Sequence, residues 1–186
     1  FLNDGLTPVV NNAFITFAEA NAGLRFTPAA NLASPATTFS FSVAGATSNA
    51  GAGLGPATIA SVTVTPIADT PSVTSAATNE DTQTASGLVI SRNAVDGAEV
   101  THFRITGITN GTLFLNDGLT PVVNNAFITF AQGNAGLKFT PAADLFSPGT
   151  LFSFDVAAAT SNAGAGLSPA ATASIVFGLD SMPIFT

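Results

Sequence analysis

The segment Phe1-Leu2-Asn3-Asp4-Gly5 returns as Phe114-Leu115-Asn116-Asp117-Gly118, 113 positions later. At that offset residues 1–60 match residues 114–173 at 48 of 60 positions, and the first 18 match without a break. Short solenoid units run about 20 to 50 residues, so a period of 113 has the length of a whole domain and indicates domains in tandem. Residues 66–113 occur once, whereas the segment that follows them occurs twice, as 1–64 and 114–177. If 66–113 forms one part of a domain and 114–177 the rest, the first repeat is expected to be incomplete. Its Phe14, Phe17, Phe26, Phe39 and Phe41 are then expected to lie exposed, because an open sheet lacks the strand that would cover it. The expected divisions are 1–64, the C-terminal part of one repeat; 65–177, a complete repeat; and 178–186, a divergent tail that could add a strand. The seam is Thr65-Pro66-Ile67-Ala68-Asp69-Thr70-Pro71, where two prolines interrupt any ladder and stiffen the connection into a short spacer.

Within a period the hydrophobic pattern alternates. Leu151-Phe152-Ser153-Phe154-Asp155-Val156 places Phe152, Phe154 and Val156 on one face and Ser153 and Asp155 on the other, the period of a half-buried strand. The same reading predicts strands over 72–78, 86–91, 101–106, 112–115, 126–130, 137–140, 151–157 and 171–177. Asn110-Gly111 between two of them reads as a hairpin turn, since Asn-Gly supplies positive φ cheaply. No segment carries a sustained helical period, and 142–146 is expected to form one turn at most. Sixteen Phe with no Tyr or Trp put the aromatic mass where no polar handle has to be satisfied. Short strands with frequent turns predict an all-β fold of tandem two-sheet sandwiches.

Composition removes several function classes. Arg25, Arg92, Arg104 and Lys138 are the whole basic inventory, too few for a nucleic-acid-binding stripe. No apolar run approaches the roughly 20 residues of a membrane helix, so membrane insertion is not expected. Without cysteine there are no disulfides or thiolate metal sites. His102 is the only histidine, which leaves zinc cages and Ser-His-Asp triads without parts, and it is expected to face solvent opposite Phe103. Lys138 is the only lysine and its counterpart is Arg25, which argues against a Lys-Asn cross-link common to both copies. The missing Trp and Tyr also weigh against a carbohydrate-binding platform.

Ala68-Asp69-Thr70-Pro71, Thr78-Asn79-Glu80-Asp81-Thr82, Phe139-Thr140-Pro141-Ala142-Ala143 and Phe152-Ser153-Phe154-Asp155-Val156 follow one another in an order that resembles the cadherin-like, immunoglobulin-like tandem repeats of giant bacterial surface and RTX-type adhesins. The resemblance implies Greek-key β-sandwiches strung end to end, an extracellular or cell-surface location, and calcium at domain junctions. Asp69 would be the junction aspartate, with Glu80 and Asp81 on the loop approaching it and Asp96 and Glu99 as further oxygen donors. Calcium takes about six to eight oxygens, and solvated loop acids are the simpler account of these residues. The expected role is a structural spacer of a tandem-repeat adhesin or surface fibre, without catalysis. Its partners are neighbouring repeats or copies of itself, and any surface ligand is undefined. The alternative is a self-assembling extracellular filament subunit joined by inter-chain strand complementation.

Overall fold

The computed structural model describes residues 1–178, and the expected tail strand, from residue 179 on, lies outside them. The chain divides into two compact units, Phe1–Thr65 and Pro66–Thr186. The described residues are β-rich as a whole, most of the strands lying in unit 2, with five-residue helices as their helical content.

In unit 1, α1 (Phe17–Asn21) precedes β1 (Phe39–Val43) and β2 (Thr58–Val62), which pair antiparallel with Phe39 opposite Val62 and Val43 opposite Thr58. A single bridge joins Leu2 to Leu24. Among the described residues β1 has one partner, β2, and its other edge is open.

Unit 2 contains β3 (Ser72–Val73), β4 (Ala76–Asn79), β5 (Ile90–Ser91), β6 (His102–Thr109), β7 (Gly111–Phe114), β8 (Pro121–Val122), β9 (Phe127–Thr129), α2 (Phe130–Asn134), β10 (Lys138–Pro141), β11 (Phe152–Ala159) and β12 (Ala170–Gly178). Its largest sheet runs β4-β12-β11-β6-β9, a second runs β10-β7-β8, and β3 pairs with β5. The β4–β12 pair is parallel, Ala76 opposite Ile175, while the other pairs in that sheet are antiparallel. Phe103, Ile105, Phe139, Phe152, Phe154, Val156 and Phe177 are fully buried and belong to one core. Phe139, Phe152 and Phe177 form a mutual aromatic triplet with centroids 4.7 to 6.2 Å apart.

Four expectations need correction. The stretch 86–91 is a strand only at β5, since Gly87 and Leu88 take positive φ, at 94° and 51°. The stretch 72–78 is two strands, not one, because β3 pairs with β5 and β4 pairs with β12. Asn110-Gly111 does not close a hairpin: β6 and β7 lie in different sheets, and Asn110 alone of the two has positive φ, at 57°. The Asn110 side chain donates to the Leu151 carbonyl at 2.9 Å and its own carbonyl accepts from the Ala142 amide, so the pair makes a corner. The helices, finally, fall at 17–21 and 130–134, with none at 142–146. Each is nucleated by a reciprocal cap. The Thr16 hydroxyl accepts from the Glu19 amide while Glu19 accepts from the Thr16 amide, and Thr129 with Gln132 repeats this. Glu and Gln exchange freely here because the cap uses only a carbonyl-type oxygen.

Candidate functional site

The five acids singled out in the sequence divide between two places. Asp69 donates its backbone N–H to both carboxylate oxygens of Asp96, at 3.1 and 3.2 Å. Glu99 joins them: it accepts from the Gly97 amide at 2.7 Å and lies within Coulombic range of Asp96. Burial, and after it the like charges of Asp69 and Glu99, push the Asp96 carboxyl above its ordinary value against the opposing pull of its hydrogen bond from Asp69. Glu80 and Asp81 stand at the end of β4, where the Glu80 amide donates to the Gly178 carbonyl and Asp81 accepts from the Asp144 amide at 3.2 Å. Among the described residues, no three of His, Cys, Asp and Glu gather as a metal-holding group. His102 is half-buried, its Nδ1 2.8 Å from the Thr101 hydroxyl.

The other acids serve turns. Asp4 and Asp117 each accept from the amides two and three residues on and from the Thr7 or Thr120 hydroxyl. The hydroxyl bond is the largest cause holding both carboxyls low, Asp4 at about 2. Glu19 is lowered by its cap bonds, that from the Thr16 amide first.

A different site emerges when the two copies are set side by side. Their local geometry coincides in the caps, in the aspartate turns and in the hairpin register, since Phe39 opposite Val62 becomes Phe152 opposite Ile175 at the 113-residue offset. Both carry a cis Ser-Pro bond, at Ser34-Pro35 and Ser147-Pro148. Their surroundings differ. Leu24, Phe26, Phe41 and Val43 are 38, 46, 37 and 49 % exposed, whereas Leu137, Phe139, Phe154 and Val156 are 0 to 1 % exposed. The core that encloses the second set draws Leu88, Ile90, Val100, Phe103, Ile105 and Leu113 from the 66–113 segment, whose β6 also pairs along β11 and whose β7 pairs along β10. Phe17 is also exposed, while its counterpart Phe130 packs against Phe103 and carries the Arg92 guanidinium 3.7 Å above its ring. Phe39, expected exposed, is instead buried, because the edge of Phe26 lies against it at 5.7 Å.

The open sheet expected from the sequence is thus present in unit 1 as a strand edge with an apolar face beside it, with Phe14, Phe17, Phe26 and Phe41 exposed and Phe39 buried. The 113-residue echo was the signal that could locate it residue by residue. Comparison with protein families, curated proteins and solved structures returned no match. No helix among the described residues is long and apolar enough to cross a membrane.

Proposed function

We propose that this chain is a spacer segment of an extracellular bacterial tandem-repeat adhesin or surface fibre, built from Greek-key β-sandwich repeats, with a mechanical and not a catalytic role. The observation that carries the reading is that one 113-residue period returns with the same caps, turns and hairpin register in both copies. Repetition of a rigid unit extends reach, and selection for reach tolerates near-identical copies. In keeping with this, the second copy buries a phenylalanine-rich core and charged residues are few.

Polypeptides carrying increasing numbers of the 113-residue period test this by their contour length in electron micrographs. Each added period is expected to lengthen the particle by at least the span of a nine-residue strand such as β12, on the order of 30 Å. Particles that stay globular as periods are added would remove the spacer role. The alternative, a filament subunit joined by strand complementation, is favoured by the open edge of β1; concentration-dependent growth of the chain into fibres is its signature.

Calcium at Asp69, Glu80, Asp81, Asp96 and Glu99 is the weakest part of the proposal, because among the described residues no three of these acids gather as a metal-holding group. Calcium takes about six to eight oxygens, and both carboxylate oxygens of Asp96 already accept from the Asp69 amide, so backbone carbonyls would have to complete the set. A ligand bound only by the folded form raises the melting midpoint. The midpoint in millimolar calcium is therefore expected to exceed that in chelator, with Asp96→Asn removing the difference. Superimposable melts would exclude the metal.

A further inference from the structure

We infer that the open β1 edge of unit 1 is an acceptor site for a polypeptide segment of the 66–113 type, and that the segment docks in the register β6 takes on β11. The inference deepens the repeat reading above, on which it rests, by naming the partner and its alignment.

The protein itself supplies the template. In unit 2, β6 runs antiparallel to β11 with Ser153 opposite Thr109, Asp155 opposite Thr106, Val156 opposite Ile105 and Ala158 opposite Phe103. Subtracting the 113-residue offset places Ser40, Ser42, Val43 and Gly45 opposite those same positions of an incoming strand. That strand must alternate apolar and polar residues, as Phe103, Ile105 and their neighbours do, to fill the face where Val43 and Phe41 stand exposed. An arginine at the 92-type position would then close over Phe17, as Arg92 does over Phe130.

The partner is a further segment and not the one already in this chain. Residues 66–113 are engaged with 114–178, and exchange between copies of the chain would cover one half by baring another.

Differences between the copies sharpen the fit. Position 133 is glycine, where an added Cβ would lie 2.7 Å from the Phe103 ring and 3.3 Å from Ile90; its counterpart is Ala20. Position 158, across the ladder from Phe103, is a buried alanine, and its counterpart is Gly45. Copy one has thus gained a methyl where the 103-type ring would lie and lost one at the position across the ladder from it. The partner's ring sits displaced toward Gly45, and the 66–113 segment of this chain fits copy one imperfectly.

The test adds a labelled synthetic polypeptide of residues 66–113 to the full chain, with titration by anisotropy and hydrogen exchange across 40–46 and 153–159. Saturable binding is expected, with new protection at 40–46. Ala20→Gly is expected to tighten it about tenfold, the scale of relieved overpacking. Val43→Asp leaves the free unit folded, since Val43 is exposed there, yet weakens binding by roughly 100-fold or more through burial of an unpaired carboxylate. Absence of saturable binding, protection confined to 153–159, or affinity indifferent to both substitutions would overturn the inference. The contour-length measurement reads the spacer role without this docking, so either can fail alone.

Discussion

Phe154→Ala is expected to cost unit 2 about 3–5 kcal/mol, the range for truncating a fully buried phenylalanine, while Phe41→Ala, the same change at the same place in copy one, costs unit 1 roughly 1–2 kcal/mol. The two rings sit on equivalent strands, in equivalent hairpins, opposite Ala173 and Ala60. Propensity, cross-strand partner and local sequence are therefore matched, and the difference isolates what lies on the far side of the ring. Phe154 is wholly enclosed, and its truncation leaves a cavity among Phe and Ile side chains that cannot collapse into it. Phe41 is partly open to solvent, so water fills the space and only transfer free energy is lost. With no Tyr or Trp in the chain, calorimetry or circular dichroism is the natural readout, with hydrogen exchange over β1 and β11 assigning each loss to its unit. Equal losses would show that the face of copy one is covered in solution.

Strands on which one face is apolar were legible in the sequence because their period is two. The stretch 171–177 alternates and β12 follows with one face buried, whereas β11 forms where Phe152-Ser153-Phe154-Asp155-Val156 predicts a strand but is buried on both faces, Ser153, Ala157 and Ala159 included, with Asp155 alone half-buried. Pairing partners were not legible. Whether Ala76-Ala77-Thr78-Asn79 joins Ser72-Val73 or lies parallel to β12 depends on residues about 100 positions away, and alanine and threonine fit either arrangement. The helices were too short to display a period, yet Thr16 with Glu19 and Thr129 with Gln132 stand at capping-box spacing, which marks a helix start at any length. Among the acids, nearness in sequence misled. Glu80 and Asp81 lie nearer Asp69 along the chain than Asp96 does, but β3 and β4 carry them away to the Gly178 end, while the loop after β5 returns Asp96 to Asp69. The exposure of copy one followed from counting one covering segment against two halves. Phe39 escaped that count because its neighbour Phe26 comes from its own copy.

Gly111→Ala is expected to destabilise unit 2 by about 3 kcal/mol or more, the upper end of the cost of overpacking. A Cβ at this position would overlap both the Phe139 ring and the Thr140 carbonyl oxygen, a core side chain and a backbone atom of the paired strand β10. The ring cannot retreat, because Phe139 is locked between Phe152 and Phe177. Nor can the carbonyl, since Pro141 opposite Gly111 closes the β7–β10 ladder and the next amide, Ala142, is bonded to Asn110. This is a different demand on glycine from the one Asn-Gly makes in a hairpin, where the second residue needs positive φ. The two explanations separate experimentally. At a turn that needs positive φ, D-alanine introduced by chemical ligation restores stability. At this corner the L-alanine loss should instead be partly recovered by Phe139→Leu, whose shorter side chain leaves room for the new methyl. A Gly111→Ala melt within about 1 kcal/mol of the parent would mean that the corner yields without disturbing the core, and that the close approach of β7 to Phe139 does not hold the two sheets together.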